Sequence, residues 1–293
     1  MKKNDTNNKA EEKHSNNGSG TNLVAIIETA IKIPGVRVDR DDFLKKQFAK
    51  SPADIFDIII KQGPIKAGIS QKELRNKAVA LINERTMFSS SASFLAGMPG
   101  GMAIAATIPA DIVQFYAVAL RLAQELAYLY GEEDLWSENT LDTEKVRNQL
   151  IVYCGVMLGA TGAAQAARVL SSALAKQALL KLPKQALTKT FYYPIIKSIV
   201  KFFGGKMTKD IFAKGVSKAI PVVGGVISGA ITLITMRPMG IRLYETLEKA
   251  QFDYTEEDFN ADWNDIIIDG QNAFQNDNSY EIYIQGKNIS SKE

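Results

Sequence analysis

Histidine and cysteine are almost missing: the 293 residues hold one of each, His14 and Cys154, and only two tryptophans. A lone cysteine excludes an intrachain disulfide framework and suits a reducing compartment. With one cysteine and one histidine, a zinc site built within the chain is excluded as well. A Ser-His-Asp triad would have to borrow His14 from the polar start of the chain, so catalysis of that type finds no support. Nucleotide signatures fail too. FFGGKMT (202–208) has no glycine five residues before Gly205 and puts Met207 where a P-loop needs Ser or Thr. Gly225-Val-Ile-Ser-Gly229 misses the nucleophile-elbow spacing by one residue, and Ser198-Ile-Val-Lys201 fits S-x-x-K with no companion motif. Asp262, Asp265 and Asp269 share a helix face without the spacing of an EF-hand loop. No metal and no cofactor are expected.

What the chain does have is a pair of charge-free, glycine-studded runs, 89–110 (SSSASFLAGMPGGMAIAATIPA) and 219–236 (AIPVVGGVISGAITLITM). They stop at Asp111 and Arg237. Small residues at this density let helices approach closely, or let a hairpin lie against lipid. A polar start, 1–21, reads as a flexible tail that is not a secretory signal. An apolar helix begins at Asn22 and is closed by Pro34–Gly35; GVRVDRDDFLKKQF then leads from an extended piece into a charged helix. Ser51 is an expected N-cap, and Ser70-Gln-Lys-Glu73 is a capping box that opens a helix to about Arg85.

DIVQFYAVALRLAQELAYLYG (111–131) is apolar nearly all round, which places it at the centre of a bundle. From Thr143 to about Leu182 the pattern predicts one long helix with a small-residue spine at Gly155, Gly159, Ala163 and Ala167. Pro183 and Pro194 then divide shorter lysine-bearing helices. Thr255-Glu-Glu-Asp258 caps a last helix, and SYEIYIQG (279–286) alternates like a strand without a partner. The fold class is all-α, a multi-helix bundle with two glycine-rich apolar helical hairpins. Its domain is 22–250, followed by an acidic extension, 251–293.

Charge is unevenly spread. Between Arg168 and Lys218 eleven Lys and Arg face one acid, Asp210, whereas Asp253, Glu256, Glu257, Asp258, Asp262, Asp265, Asp269, Asp277 and Glu281 crowd the end. Lys197, Lys201, Lys206, Lys209, Lys214 and Lys218 alternate with aromatics that include Phe202 and Phe203, a composition suited to an anionic bilayer surface. Nucleic acid is disfavoured, because no arginine lies between Arg168 and Arg237. The uncharged stretches 86–110, 148–167 and 219–236 are long enough to span a bilayer. Their Gly, Ser, Thr and Ala content points instead to packed core helices, with reversible hairpin insertion as the alternative.

Within the apolar helices, Asp111, Gln114, Arg121 and Glu125 form one stripe, and Arg237 and Arg242 sit in the helix after the second run. Arg121 and Glu125 are four apart and expected to pair; Asp111 with Arg237 is an expected clasp between the hairpins. The alternative is a polar pocket, joined by Gln165 and Arg168, that binds a ligand or does acid–base work.

These blocks resemble the EcsC family of bacterial proteins. The resemblance lies in IPGVRVDRDDFL (33–44), in the glycine run followed by PADIVQFYAVALRLAQELAYLYG (109–131), and in KGVSKAIPVVGGVISGAITLITM (214–236). It spans roughly 25–250 and implies a helical bacterial protein at or near the inner face of the membrane, associated with an ABC exporter. It carries over no catalytic residues. The resulting expectation is a cytoplasmic accessory protein, peripheral to the inner membrane, whose partner is an anionic membrane surface or a membrane transporter. The rival readings are a hydrolase using the embedded carboxylates and arginines, or a membrane-inserting effector.

Overall fold

The computed structural model describes residues 23–88, 110–136, 143–173, 193–202 and 229–275, and all the regular structure among them is helical. Much of both glycine-rich runs (89–109 and 219–228), the lysines and aromatics of 203–218, and the strand-like 279–286 lie outside the described residues. Among the described residues ten helices follow in order: α1 Leu23–Ile31, α2 Arg40–Gln47, α3 Ala53–Gln62, α4 Gln71–Phe88, α5 Ala110–Leu129, α6 Thr143–Leu158, α7 Ala163–Ser171, α8 Tyr193–Phe202, α9 Gly229–Phe252 and α10 Glu256–Gln275.

Local chemistry explains several of the helix starts. Asp39 caps α2, its carboxylate accepting from the Asp42 amide at 2.8 Å. Ser70 Oγ accepts from the Glu73 amide at 3.3 Å and starts α4. Thr255 and Asp258 close a reciprocal box ahead of α10, with amide-to-side-chain bonds of 3.1 Å in both directions. At α3 the expected Ser51 cap is corrected: the N-cap is Pro52, and no side chain caps the helix.

A second correction concerns the long helix expected from Thr143. It breaks after Leu158, and the chain re-enters α7 at Ala163. Gly159 and Gly162 adopt φ of +76° and +77°, a left-handed backbone that glycine takes without a Cβ penalty. The two halves fold onto each other, so that a Cβ added to Gly155 would lie 3.0 Å from the Ala163 Cβ. Of the small residues read as a continuous spine, Gly155 and Ala163 meet inside a helical hairpin, and Gly159 lies in its turn.

α5 and α9 form the centre. α5 packs against α1, α2, α4, α6 and α9, while α9 packs against α4, α5, α6 and α7. Of the α5 side chains from Ile112 to Leu129, only Gln114 and Arg121 reach partial exposure. Continuous burial on all faces is what its sequence pattern requires. At the crossing of α9 over α4, Gly240 lets the helices close: an added Cβ would meet Ile82 Cγ1 at 2.7 Å. Further out, α8 lies on α6, and α10 packs on α7 and α8. No helix among the described residues is long and apolar enough to cross a membrane.

Candidate functional site

α5 carries both central polar residues, Gln124 and Glu125, at consecutive positions. Gln124 is fully buried, and all its hydrogen-bonding groups are engaged. Its Oε1 accepts from the Val38 amide at 3.1 Å and from the Trp136 indole at 2.7 Å. Its Nε2 donates to the carbonyls of Val36 at 2.9 Å and Leu120 at 2.8 Å. One side chain thereby ties the turn at 36–38 and the loop after α5 to the central helix. Arg37 lies 4.6 Å from the Trp136 ring centre and covers that indole from outside.

Glu125 sits beside Gln124 with its side chain 1 % exposed. The Arg85 guanidinium from α4 grips it with both ends, Nε to Oε2 at 2.7 Å and Nη2 to Oε1 at 2.6 Å. Arg121, one turn back, adds its Nε to Oε1 at 3.1 Å and sends Nη1 to the Gly35 carbonyl. Burial pulls the Arg85 pKa down, but the bonds and charge of Glu125 outweigh it and hold the group above its ordinary value. The expected Arg121–Glu125 pair is therefore present, with Arg85 as an additional and closer partner. Sequence reasoning missed Arg85 because nothing in the charged α4 pattern distinguishes it from solvated neighbours such as Glu84.

Two further clasps have the same composition. Glu248 on α9 is gripped by Arg75 of α4, with Nε–Oε1 at 3.1 Å, and accepts from the Tyr130 hydroxyl at 3.1 Å. Desolvation alone would raise the Glu248 pKa, yet the bonds from Arg75, Gln71 and Tyr130 lower it below the usual value. Tyr130 shifts upward, first through burial and then through the adjacent carboxylate. On the outer layer Asp262 of α10 is held by Arg168 of α7, Nε–Oδ2 at 2.8 Å and Nη2–Oδ1 at 2.7 Å, with Tyr254 donating to Oδ2 at 2.8 Å.

The remaining candidates do not converge on Glu125. Arg237 is exposed and donates to Asn83 Oδ1 at 3.3 Å, and the Asp111 side chain lies outside the described residues. Arg242 donates to the Met157 carbonyl at 2.9 Å, tying α9 to the end of α6. Gln114 is half-buried on the same stripe of α5, about two turns before Arg121. Arg168, expected near a polar pocket with Gln165, turns to Asp262 instead. Of the membrane-surface candidates, Lys197 is half-buried on α8; the Lys201 and Phe202 side chains, and Phe203, Lys206, Lys209, Lys214 and Lys218, lie outside the described residues.

Chemically, a carboxylate whose two oxygens are both taken by guanidinium is a poor base and a poor nucleophile. What such a group does well is fix the register of the helices that supply it. Among the described residues no three His, Cys, Asp or Glu side chains gather to hold a metal ion. Cys154 is buried, and burial pushes its thiol pKa up to about 12, away from nucleophilic use. Compared with known proteins, the chain matches no family model, no curated protein and no solved structure.

Proposed function

We propose that this chain is a bacterial accessory protein that docks on the anionic inner face of the membrane, or on a transporter embedded there. Docking runs through the Lys/aromatic stretch that begins at α8. The supporting observation is the character of α8 itself. Ile195 and Ile199 are buried, while Lys197 on the same helix stands at the rim of the bundle. Such a helix pairs an apolar footing with a basic residue at its edge, and each lysine near an anionic surface contributes about 1 kcal/mol. The likeness of the 33–44, 109–131 and 214–236 blocks to EcsC proteins supports the same reading.

A hydrolase would need an embedded carboxylate with an oxygen free to take a proton. Glu125, Glu248 and Asp262 are each gripped by arginine, so the chemistry favours the docking reading. The test is co-sedimentation with vesicles of phosphatidylglycerol and phosphatidylcholine, against pure phosphatidylcholine, at low and high salt. Salt-reversible binding to the anionic vesicles alone is the expected result. Binding that survives high salt and releases trapped dye would shift the mechanism to hairpin insertion. Absence of binding under every condition overturns direct lipid docking.

A further inference from the structure

We propose that residues 58–72, the end of α3 with its following loop and the start of α4, form a ready-folded seat for an anionic bilayer. The seat adds a contact to the lysine stretch after α8, and it rests on the membrane reading above. Three observations carry it. First, α3 leaves its apolar side chains partly uncovered. Of Ile55, Phe56, Ile58, Ile59 and Ile60 only Ile59 is buried, whereas α5 buries every apolar side chain from Ile112 to Leu129. The chief packing partner of α3 is α2, a helix of eight residues. Ile65 and Ile69 in the loop are also only half-buried. Apolar surface left in water gains when it meets acyl chains.

Second, the charge among these isoleucines has one sign. From Ile58 to Lys72 the chain holds Lys61, Lys66 and Lys72 and no acid, and all three lysines are exposed. The acids of α3, Asp54 and Asp57, lie in its first half. Lys72 stands in the first turn of α4, where the helix dipole disfavours a cation, so local stability does not explain it. Lysine stems lie along apolar surface while their ammonium groups reach headgroup level, which suits this mixture to a bilayer. Third, the loop is already folded. The amides of Ala67, Gly68 and Ile69 donate to the carbonyls of Gly63, Ile65 and Pro64 at 3.2, 3.1 and 3.1 Å. A Cβ added to Gly63 would lie 3.4 Å from the Gly131 Cα, so the loop is footed on the end of α5. Docking therefore orders little new backbone.

The experiment uses the full chain and phosphatidylglycerol-containing vesicles at low salt. Ile58→Cys and, as a control on exposed α10, Asn264→Cys are each labelled with an environment-sensitive nitrobenzoxadiazole dye; buried Cys154 does not compete. The dye at 58 is expected to shift to the blue on the vesicles and to be quenched by nitroxide-bearing lipid, while the dye at 264 stays in water. Separately, Lys61→Gln/Lys66→Gln/Lys72→Gln alters exposed positions only and is expected to weaken partition about a hundredfold, the worth of three lysines.

A dye at 58 that stays in water on bound protein overturns the seat and leaves membrane docking to the stretch after α8. Partition of the triple variant within about twofold of wild type does the same. Equal shifts at 58 and 264 overturn it by showing no preferred face. A blue shift at 58 that grows with protein concentration in the absence of vesicles gives this face to a second copy of the chain and overturns the bilayer as its occupant. If wild type binds no vesicles at all, the membrane reading falls and the seat falls with it.

Discussion

Replacing Glu125 by Gln is the sharpest probe of what the central polar cluster does. The Glu125 side chain is 1 % exposed and that of Arg85 16 %, so neither group regains much water when its partner is lost. Breaking one side of a buried ion pair costs about 3–5 kcal/mol. Glutamine keeps the shape and one acceptor, which places Glu125→Gln near the lower end, about 3 kcal/mol. Arg121 is one-third exposed, so Arg121→Met removes a more screened contact and costs about 1 kcal/mol. The paired replacement Arg85→Met with Glu125→Leu removes both charges together and is expected within about 1 kcal/mol of wild type.

Urea unfolding followed by far-ultraviolet circular dichroism measures all three. The corresponding melting shift for Glu125→Gln is roughly 6 °C or more at this chain length. The ordering carries the reasoning: single removal severe, paired removal mild, Arg121 intermediate. A Glu125→Gln protein within about 0.5 kcal/mol of wild type would refute the claim that this carboxylate locks α4 to α5. A paired variant as unstable as the single one would show that the pair contributes more than compensation for its own burial.

Three other outcomes are expected. Gly240→Ala puts a methyl group 2.7 Å from Ile82 Cγ1, and the overpacking costs about 1–3 kcal/mol in the same unfolding assay, with Ile82→Val recovering part of it. Cys154 is buried with its thiol pKa pushed up to about 12, so iodoacetamide at pH 8 labels it no faster than the chain unfolds; rapid labelling in native buffer would contradict the described core. Glu248 has its pKa lowered in the folded state, so its contribution is present above the unfolded value of about 4.3 and is lost as pH falls through the folded value. Unfolding midpoints between pH 5 and 3 should drop less steeply in Glu248→Gln than in wild type.

Sequence reasoning reached the helices through signals that are local. The Ser70 and Thr255 boxes, the unbroken apolar pattern of α5 and the Arg121–Glu125 spacing each depend on residues within a turn or two. Its misses share a cause. The break between α6 and α7 looks identical in sequence to a close-packed helix spine, since Gly159 and Gly162 serve either role, and only the hairpin contact of Gly155 with Ala163 decides it. Ser51 precedes a proline, which takes the N-cap position itself and leaves the serine without a helix to cap. Arg85, Arg75 and Arg168 find their carboxylates 40, 173 and 94 residues away, distances at which no periodicity speaks. Gln124 escaped notice because it lies off the stripe that Gln114, Arg121 and Glu125 share on the same helix.

The positions of these long-range clasps suggest why the bundle needs them. Apolar packing is strong but lacks direction, and a helix such as α5, buried on every face, has several nearly equivalent rotations. A bidentate guanidinium–carboxylate pair accepts one geometry, so Arg85–Glu125 selects a rotation of α5 against α4, and Arg75–Glu248 selects one of α9 against the same helix. α4 thus serves as the ruler for both central helices, and Gly240 sets how closely α9 approaches it. Arg168–Asp262 shares the chemistry but joins two outer helices, so opening it leaves both central registers untouched.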